Sequence, residues 1–130
     1  MTNYLIDGEQ GAPIFIFAHG AGAGMDHDFM SAVAQGLVKH GIQVIRFNFP
    51  YMVKRAEDGK RRPPDRAPKL LEAYQQVIAE YAQQRSVIIG GKSMGGRMAS
   101  LLADDENVAA VACLGYPFHP PGKPENYKGE

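Results

Sequence analysis

The chain alternates short, continuous apolar runs with longer segments in which apolar residues recur every three or four positions. Continuous runs suit strands buried on both faces, as in a parallel sheet, and the three-to-four spacing suits helices with one buried face. PIFIFA (13–18), QVIRFNF (43–49), the β-branched run at 86–90 and VAAVACL (108–114) predict four strands. Residues 3–6 add a short edge strand, closed by the Asp7-Gly8 turn. Phe29, Met30, Val33 and Leu37 predict a helix reaching His40, with Asp26 as N-cap and Gly41 as its stop. Leu70, Leu71, Tyr74, Val77, Ile78 and Tyr81 predict a second helix ending near Gln84, and a third runs from the glycines after residue 90 to about Ala103. Residues 50–68 read as a long polar loop and 115–130 as a proline-rich, polar tail. The order strand, helix, strand, helix, strand, helix, strand is that of βαβ units. It predicts an α/β fold: a mainly parallel sheet of four to five strands between two helical layers, in a single domain over 1–130.

The chemistry gathers where a strand meets glycines. Gly91-Lys92-Ser93-Met94-Gly95 fits G-x-S-x-G, with a strand before it and a helix after it. In that setting the pattern is a nucleophile elbow, a turn so sharp that the serine hydroxyl projects from the top of the sheet. The alternative is a glycine turn with a purely structural job. A second glycine-rich loop, His19-Gly20-Ala21-Gly22-Ala23-Gly24, also follows the carboxyl end of a strand. Ligands of open α/β sheets sit beyond those ends, so the two loops are expected to face one crevice.

Two nucleotide-binding patterns fail on single positions. Gly90-Gly91-Lys92-Ser93 resembles the end of a phosphate-binding loop, but position 86 is Ser where that motif needs Gly. The 20–24 loop lacks the last glycine of G-x-G-x-x-G, because 25 is Met and 27 is His. Lys+Arg and Asp+Glu are both 14, so net charge argues for neither nucleic acid nor an anionic membrane. The single Cys113 excludes an internal disulfide and a cysteine-built metal site, and its apolar surroundings predict a buried, inert thiol. No metal and no cofactor enter this reading. The start, MTNYLIDGEQ, shows no secretory signal and no apolar run reaches about 18 residues, so the expected location is cytoplasmic.

HGAGAGMDHDFM, FNFPYM, GGKSMGGRMAS and GYPFHPPGKPE together resemble the α/β-hydrolase superfamily. The resemblance is narrower to a branch of small bacterial predicted hydrolases related to dienelactone hydrolase. That branch includes the hydrolase-like domain of the third subunit of the non-specific-lethal acetyltransferase complex. The resemblance spans about Ile14 to Glu125 and implies that the strand at 13–18 lies between those at 43–48 and 86–90. It implies a serine hydrolase: Ser93 attacks an ester-like carbonyl, and the backbone N–H groups of Met94 and Ala21 hold the oxyanion, with Gly22 as a neighbouring candidate. His19 is read as fixing the loop rather than as the base. Gly20, Gly22, Lys92 and Tyr51 are the expected binding residues around the serine. The family's acid and histidine follow later strands than this chain carries, which implies the N-terminal portion of a longer hydrolase or a shortened product. His119 is the only histidine after Ser93. It is read as structural, as substrate-lining or as a substitute base. The complex-subunit relatives imply an alternative, a hydrolase-like binding or scaffold module without turnover.

Two further expectations follow. Seven of the 14 basic residues lie between Lys54 and Lys69, in a loop that follows a strand's carboxyl end and so is expected to border the crevice, which makes Arg61 and Arg62 candidates for capturing an anionic substrate. The alternative is a solvated loop. The apolar strand at 108–114 would be an exposed edge, which predicts pairing into a homodimer or higher assembly, or a tail that folds over it.

Overall fold

Side-chain alternation on the central strands sets the layers. A computed structural model describes residues 4–83, 86–105 and 107–114. In β2 (Ile14–Ala18), Phe15 and Phe17 point to one face of the sheet and Ile16 and Ala18 to the other, as a period of two requires. The first face packs against Met30 and Ala34 of α1 (Asp28–Val38), together with Val44 of β3 (Gln43–Phe47). The second carries the larger core. There Ile16, Ile45, Phe47 and Ile89 meet Tyr74, Val77 and Ile78 of α3 (Ala67–Tyr81), and Met98 and Ala99 of α4 (Met94–Leu101). Each buried Val, Ile, Phe or Met among these contributes about 1.5–3 kcal/mol relative to exposure. The result is the expected three-layer α/β/α arrangement.

The sheet holds five strands in the order β1-β3-β2-β4-β5, with β1 at Tyr4–Asp7, β4 at Val87–Lys92 and β5 at Val108–Leu114. β2 runs parallel to both β3 and β4, and β4 parallel to β5. β1 is the expected edge strand and is antiparallel to β3. The predicted neighbours of the 13–18 strand are therefore the observed ones. β5 stands at the margin of the described sheet, with Ala109, Ala110 and Ala112 exposed.

Three expectations need correction. The 50–68 loop is helical in its first half, where α2 spans Pro50–Asp58. Pro50 opens it and Gly59, in the left-handed conformation at φ 73°, ends it. His27, not Asp26, caps α1, accepting the Phe29 N–H on its ring. Cys113 is half-buried rather than buried, and its thiol donates to the Gly96 carbonyl at 3.2 Å. No helix among the described residues is long and apolar enough to cross a membrane.

Candidate active site

Ser93 is the single residue between β4 and α4. It has φ 54° and ψ −112°, and it alone among the described non-glycine residues has a positive φ. Such a conformation costs about 1–3 kcal/mol and persists only where the surroundings dictate it. The surroundings here are backbone. The Ser93 N–H donates to the Leu114 carbonyl of β5 at 3.0 Å, and the Arg97 N–H donates back to the Ser93 carbonyl at 3.0 Å. The Ser93 side chain makes no capping hydrogen bond, so its hydroxyl is not spent on the helix it starts. Gly91 and Gly95 allow the turn to close. A methyl group on Gly91 would stand 2.5 Å from the Gly95 carbonyl carbon, and one on Gly95 would stand 2.5 Å from the His19 carbonyl oxygen. The start of α4 therefore lies directly on the backbone of the 19–24 loop. The two loops predicted to share a crevice do so, since Gly20 sits against the Lys92 carbonyl and the Ser93 β-carbon.

His19 is fully buried and both ring nitrogens are engaged. Nε2 accepts the Phe49 N–H at 3.0 Å, so the proton of the neutral ring is on Nδ1, which donates to the Gly20 carbonyl at 2.6 Å. Burial lowers its pKa to about 4, against the partial opposition of the Gly20 bond. Its ring also packs edge-on against Phe49 and Tyr51. This is the loop-fixing arrangement expected for it, and it leaves no free ring nitrogen to act as a base.

The carbonyls of the same loop are held from α2. The Tyr51 hydroxyl donates to the Ala21 carbonyl at 2.9 Å and approaches that of Gly20 at 3.3 Å. Arg55 Nη1 donates to the Gly22 carbonyl at 3.0 Å. Tyr51 is itself nearly buried, and burial, then the Asp65 carboxylate, raise its phenol to about 12, partly offset by Arg55. Its backbone N–H is anchored on Asp65 Oδ2 at 2.9 Å. Tyr51 was expected among the binding residues, but its polar contacts run to the loop backbone.

A cavity of about 370 Å³ opens beside the serine, lined by residues 20–23, His27, Met30, Lys92 and Ser93. Gly20, Ala21, Gly22 and Lys92 are thus placed with Ser93 as predicted. The Lys92 ammonium lies over the Phe29 ring, 4.8 Å from its centroid. His27 was not anticipated. It lines this cavity, and its Nδ1 accepts the Phe29 N–H at 3.3 Å. A larger cavity of about 640 Å³ lies elsewhere, between α2, α3 and β1.

Arg61 and Arg62 do not line the serine cavity. Arg62 is paired with Asp58 at 2.5 Å on the surface and lowers that carboxyl to about 2. Arg55 is the residue of the basic stretch that reaches the loop. His119 lies outside the described residues. Among the described residues no group of His, Cys, Asp and Glu could hold a metal ion.

Sequence reasoning missed three other supports. Tyr74 is fully buried; its hydroxyl accepts the Gly90 N–H at 2.9 Å and lies 2.7 Å from the Ile16 and Gly90 carbonyls, bridging β2 and β4 just below the elbow. Asn48 accepts the Met25 N–H at 2.8 Å. Arg46, nearly buried, donates to the Met25 carbonyl at 2.9 Å and pairs with Asp7 at 2.8 Å. A charged residue inside a strand otherwise reading as buried was the available signal for Arg46.

The sequence matches the family described as an alpha/beta hydrolase domain over residues 11–130. Solved structures agree on the fold. Dienelactone hydrolase from Anabaena variabilis is 21% identical with a TM-score of 0.74, covering 89% of this chain and 58% of its own. An alpha-beta serine hydrolase homologue from Coxiella burnetii is 20% identical with a TM-score of 0.67, covering 92% and 59%. Est1E from Butyrivibrio proteoclasticus is 20% identical with a TM-score of 0.66, covering 85% and 47%. The chain therefore spans about half the length of these proteins. With a five-stranded, mainly parallel sheet, a strained serine at the strand-to-helix turn and this family match over most of its length, the chain belongs to the alpha/beta hydrolase domain family.

Proposed function

We propose that this chain carries the nucleophile and oxyanion half of a serine hydrolase acting on small ester-like substrates. The observation that carries the reading is the backbone of Ser93, held at φ 54° between β4 and α4 with its side chain free of any capping bond, at the wall of a cavity. In the reaction Ser93 Oγ attacks the acyl carbonyl carbon and its proton passes to a base. The charge that develops on the carbonyl oxygen is met by the Met94 N–H, at the positive end of α4, and by the Ala21 N–H. Preorganised donors of this kind are worth about 3–4 kcal/mol each in the barrier.

One observation favours the second reading, a hydrolase-like binding module. Among the described histidines, His19 has both nitrogens engaged, His27 Nδ1 accepts the Phe29 N–H, and His40 Nδ1 is engaged with the Gly36 carbonyl. No hydrogen bond joins any of these three rings to Ser93, and His119 is this chain's remaining histidine. A fluorophosphonate probe separates the readings. Under the hydrolase reading, intact-mass and peptide spectrometry find the adduct on Ser93 and none in Ser93→Ala. A folded chain that stays unlabelled favours the binding module.

A further inference from the structure

We infer that Tyr51 and Arg55 are positioning residues that aim the backbone N–H groups of the oxyanion loop toward the serine cavity. The inference rests on the hydrolase reading for its consequence in catalysis and on geometry for its structural content. The two side chains stand four positions apart in α2 and so share one helix face. Tyr51 gives its one hydroxyl proton to the Ala21 carbonyl and Arg55 donates to that of Gly22, while the Gly20 carbonyl accepts the His19 Nδ1 proton. No peptide bond among the described residues is cis, and in a trans peptide the carbonyl and the N–H that follows it point in opposite directions. Holding the Ala21 and Gly22 carbonyls toward α2 therefore turns the N–H groups of Gly22 and Ala23 away from it, next to the Gly20–Ala21 peptide that His19 fixes. Residues 20–23 line the cavity that Ser93 also lines, so the peptides that carry these N–H groups form part of its wall.

The loop needs such a clamp. Glycine and alanine give it no side-chain hydrogen bonds of its own, and Ala21 and Gly22 are exposed. Left alone, an exposed Gly-Ala-Gly segment samples many backbone states, and an oxyanion hole works only where its donors are fixed before charge develops. The clamp is itself anchored, since Asp65 holds the Tyr51 N–H near the start of α2 and pairs with Lys69 of α3 at 3.8 Å. The protonated phenol is the required donor, and burial raises its pKa further above neutral. The basic stretch thus acts on the site through Arg55 and a backbone carbonyl.

The test uses the full chain as wild type, Tyr51→Phe, Arg55→Gln, Arg55→Lys and the Tyr51→Phe/Arg55→Gln double variant. The rate constant for fluorophosphonate labelling of Ser93 is expected to fall about tenfold in each of Tyr51→Phe and Arg55→Gln and about a hundredfold in the double variant, with Arg55→Lys close to wild type. Backbone ¹⁵N order parameters at Ala21, Gly22 and Ala23 are expected to drop in the double variant, while those of β4 stay unchanged. A purely structural role would lower the unfolding midpoint and leave labelling rate and loop order alone, and that result overturns the inference. If wild type takes no label, the hydrolase reading fails. The loop's order parameters then decide the clamp by themselves: a drop in the double variant upholds it and wild-type values refute it.

Discussion

Acid should destabilise this fold through His19, by an amount that the double difference against His19→Gln isolates. The neutral ring accepts the Phe49 N–H on Nε2 and donates from Nδ1 to the Gly20 carbonyl, in full burial. Protonating Nε2 would set an N–H against an N–H and place a charge among Phe49, Tyr51 and backbone. The folded-state pKa is accordingly about 4, against 6.5 for the exposed ring. Between those values the unfolded chain binds a proton that the folded chain refuses, so stability is whole above pH 6.5 and falls as pH drops toward 4. At about 1.4 kcal/mol per pH unit, the interval corresponds to a loss of about 3 kcal/mol. Other groups titrate over the same range, so the wild-type curve alone does not isolate His19. His19→Gln keeps an acceptor for Phe49 and removes the titration. Urea unfolding of both proteins from pH 7.5 to 4 should show wild type more stable at neutral pH and its advantage shrinking by about 3 kcal/mol through the window. A constant gap would mean that His19 titrates alike in both states. A gap that widens in acid would mean a protonated native ring. Either result refutes the assigned tautomer.

Two further perturbations probe the elbow by stability alone. Ser93→Gly removes the cost of a side chain at φ 54° and adds freedom to the unfolded chain, so denaturant unfolding should show a net gain of about 1 kcal/mol where Ser93→Ala shows none. Tyr74→Phe keeps the ring among Phe47 and Phe49 but leaves the buried Gly90 N–H without its acceptor, which should cost about 2 kcal/mol and raise amide exchange at Gly90 before that at Ile89.

What could be read from the sequence was governed by sterics and short range. The elbow was legible because its constraint is local: residues 91 and 95 must lack a β-carbon for residue 93 to turn, and all three lie within one turn of chain. The strand order came from the family resemblance and holds because β2, β3 and β4 are continuous apolar runs that belong in the sheet centre. α2 was lost to composition. Seven basic residues outweighed Pro50 at its start and Gly59 at its end, although that pair is a recognised signature of helix ends. That error hid the clamp, because Tyr51 and Arg55 share a face only if 50–58 is helical. It also misdirected the basic stretch: Arg61 and Arg62 were credited with reaching the crevice by position in a loop, whereas the helix delivers Arg55 and Asp58 detains Arg62. Tyr74 was unreadable for a different reason. Helical spacing marks it as a core position, and nothing in the spacing says that its hydroxyl meets two strands, 58 and 16 residues away. A serine turn can therefore be recognised from a dozen adjacent letters, but the groups that hold its oxyanion loop in register are assembled across about 30 residues and become visible only once the helix between them is placed.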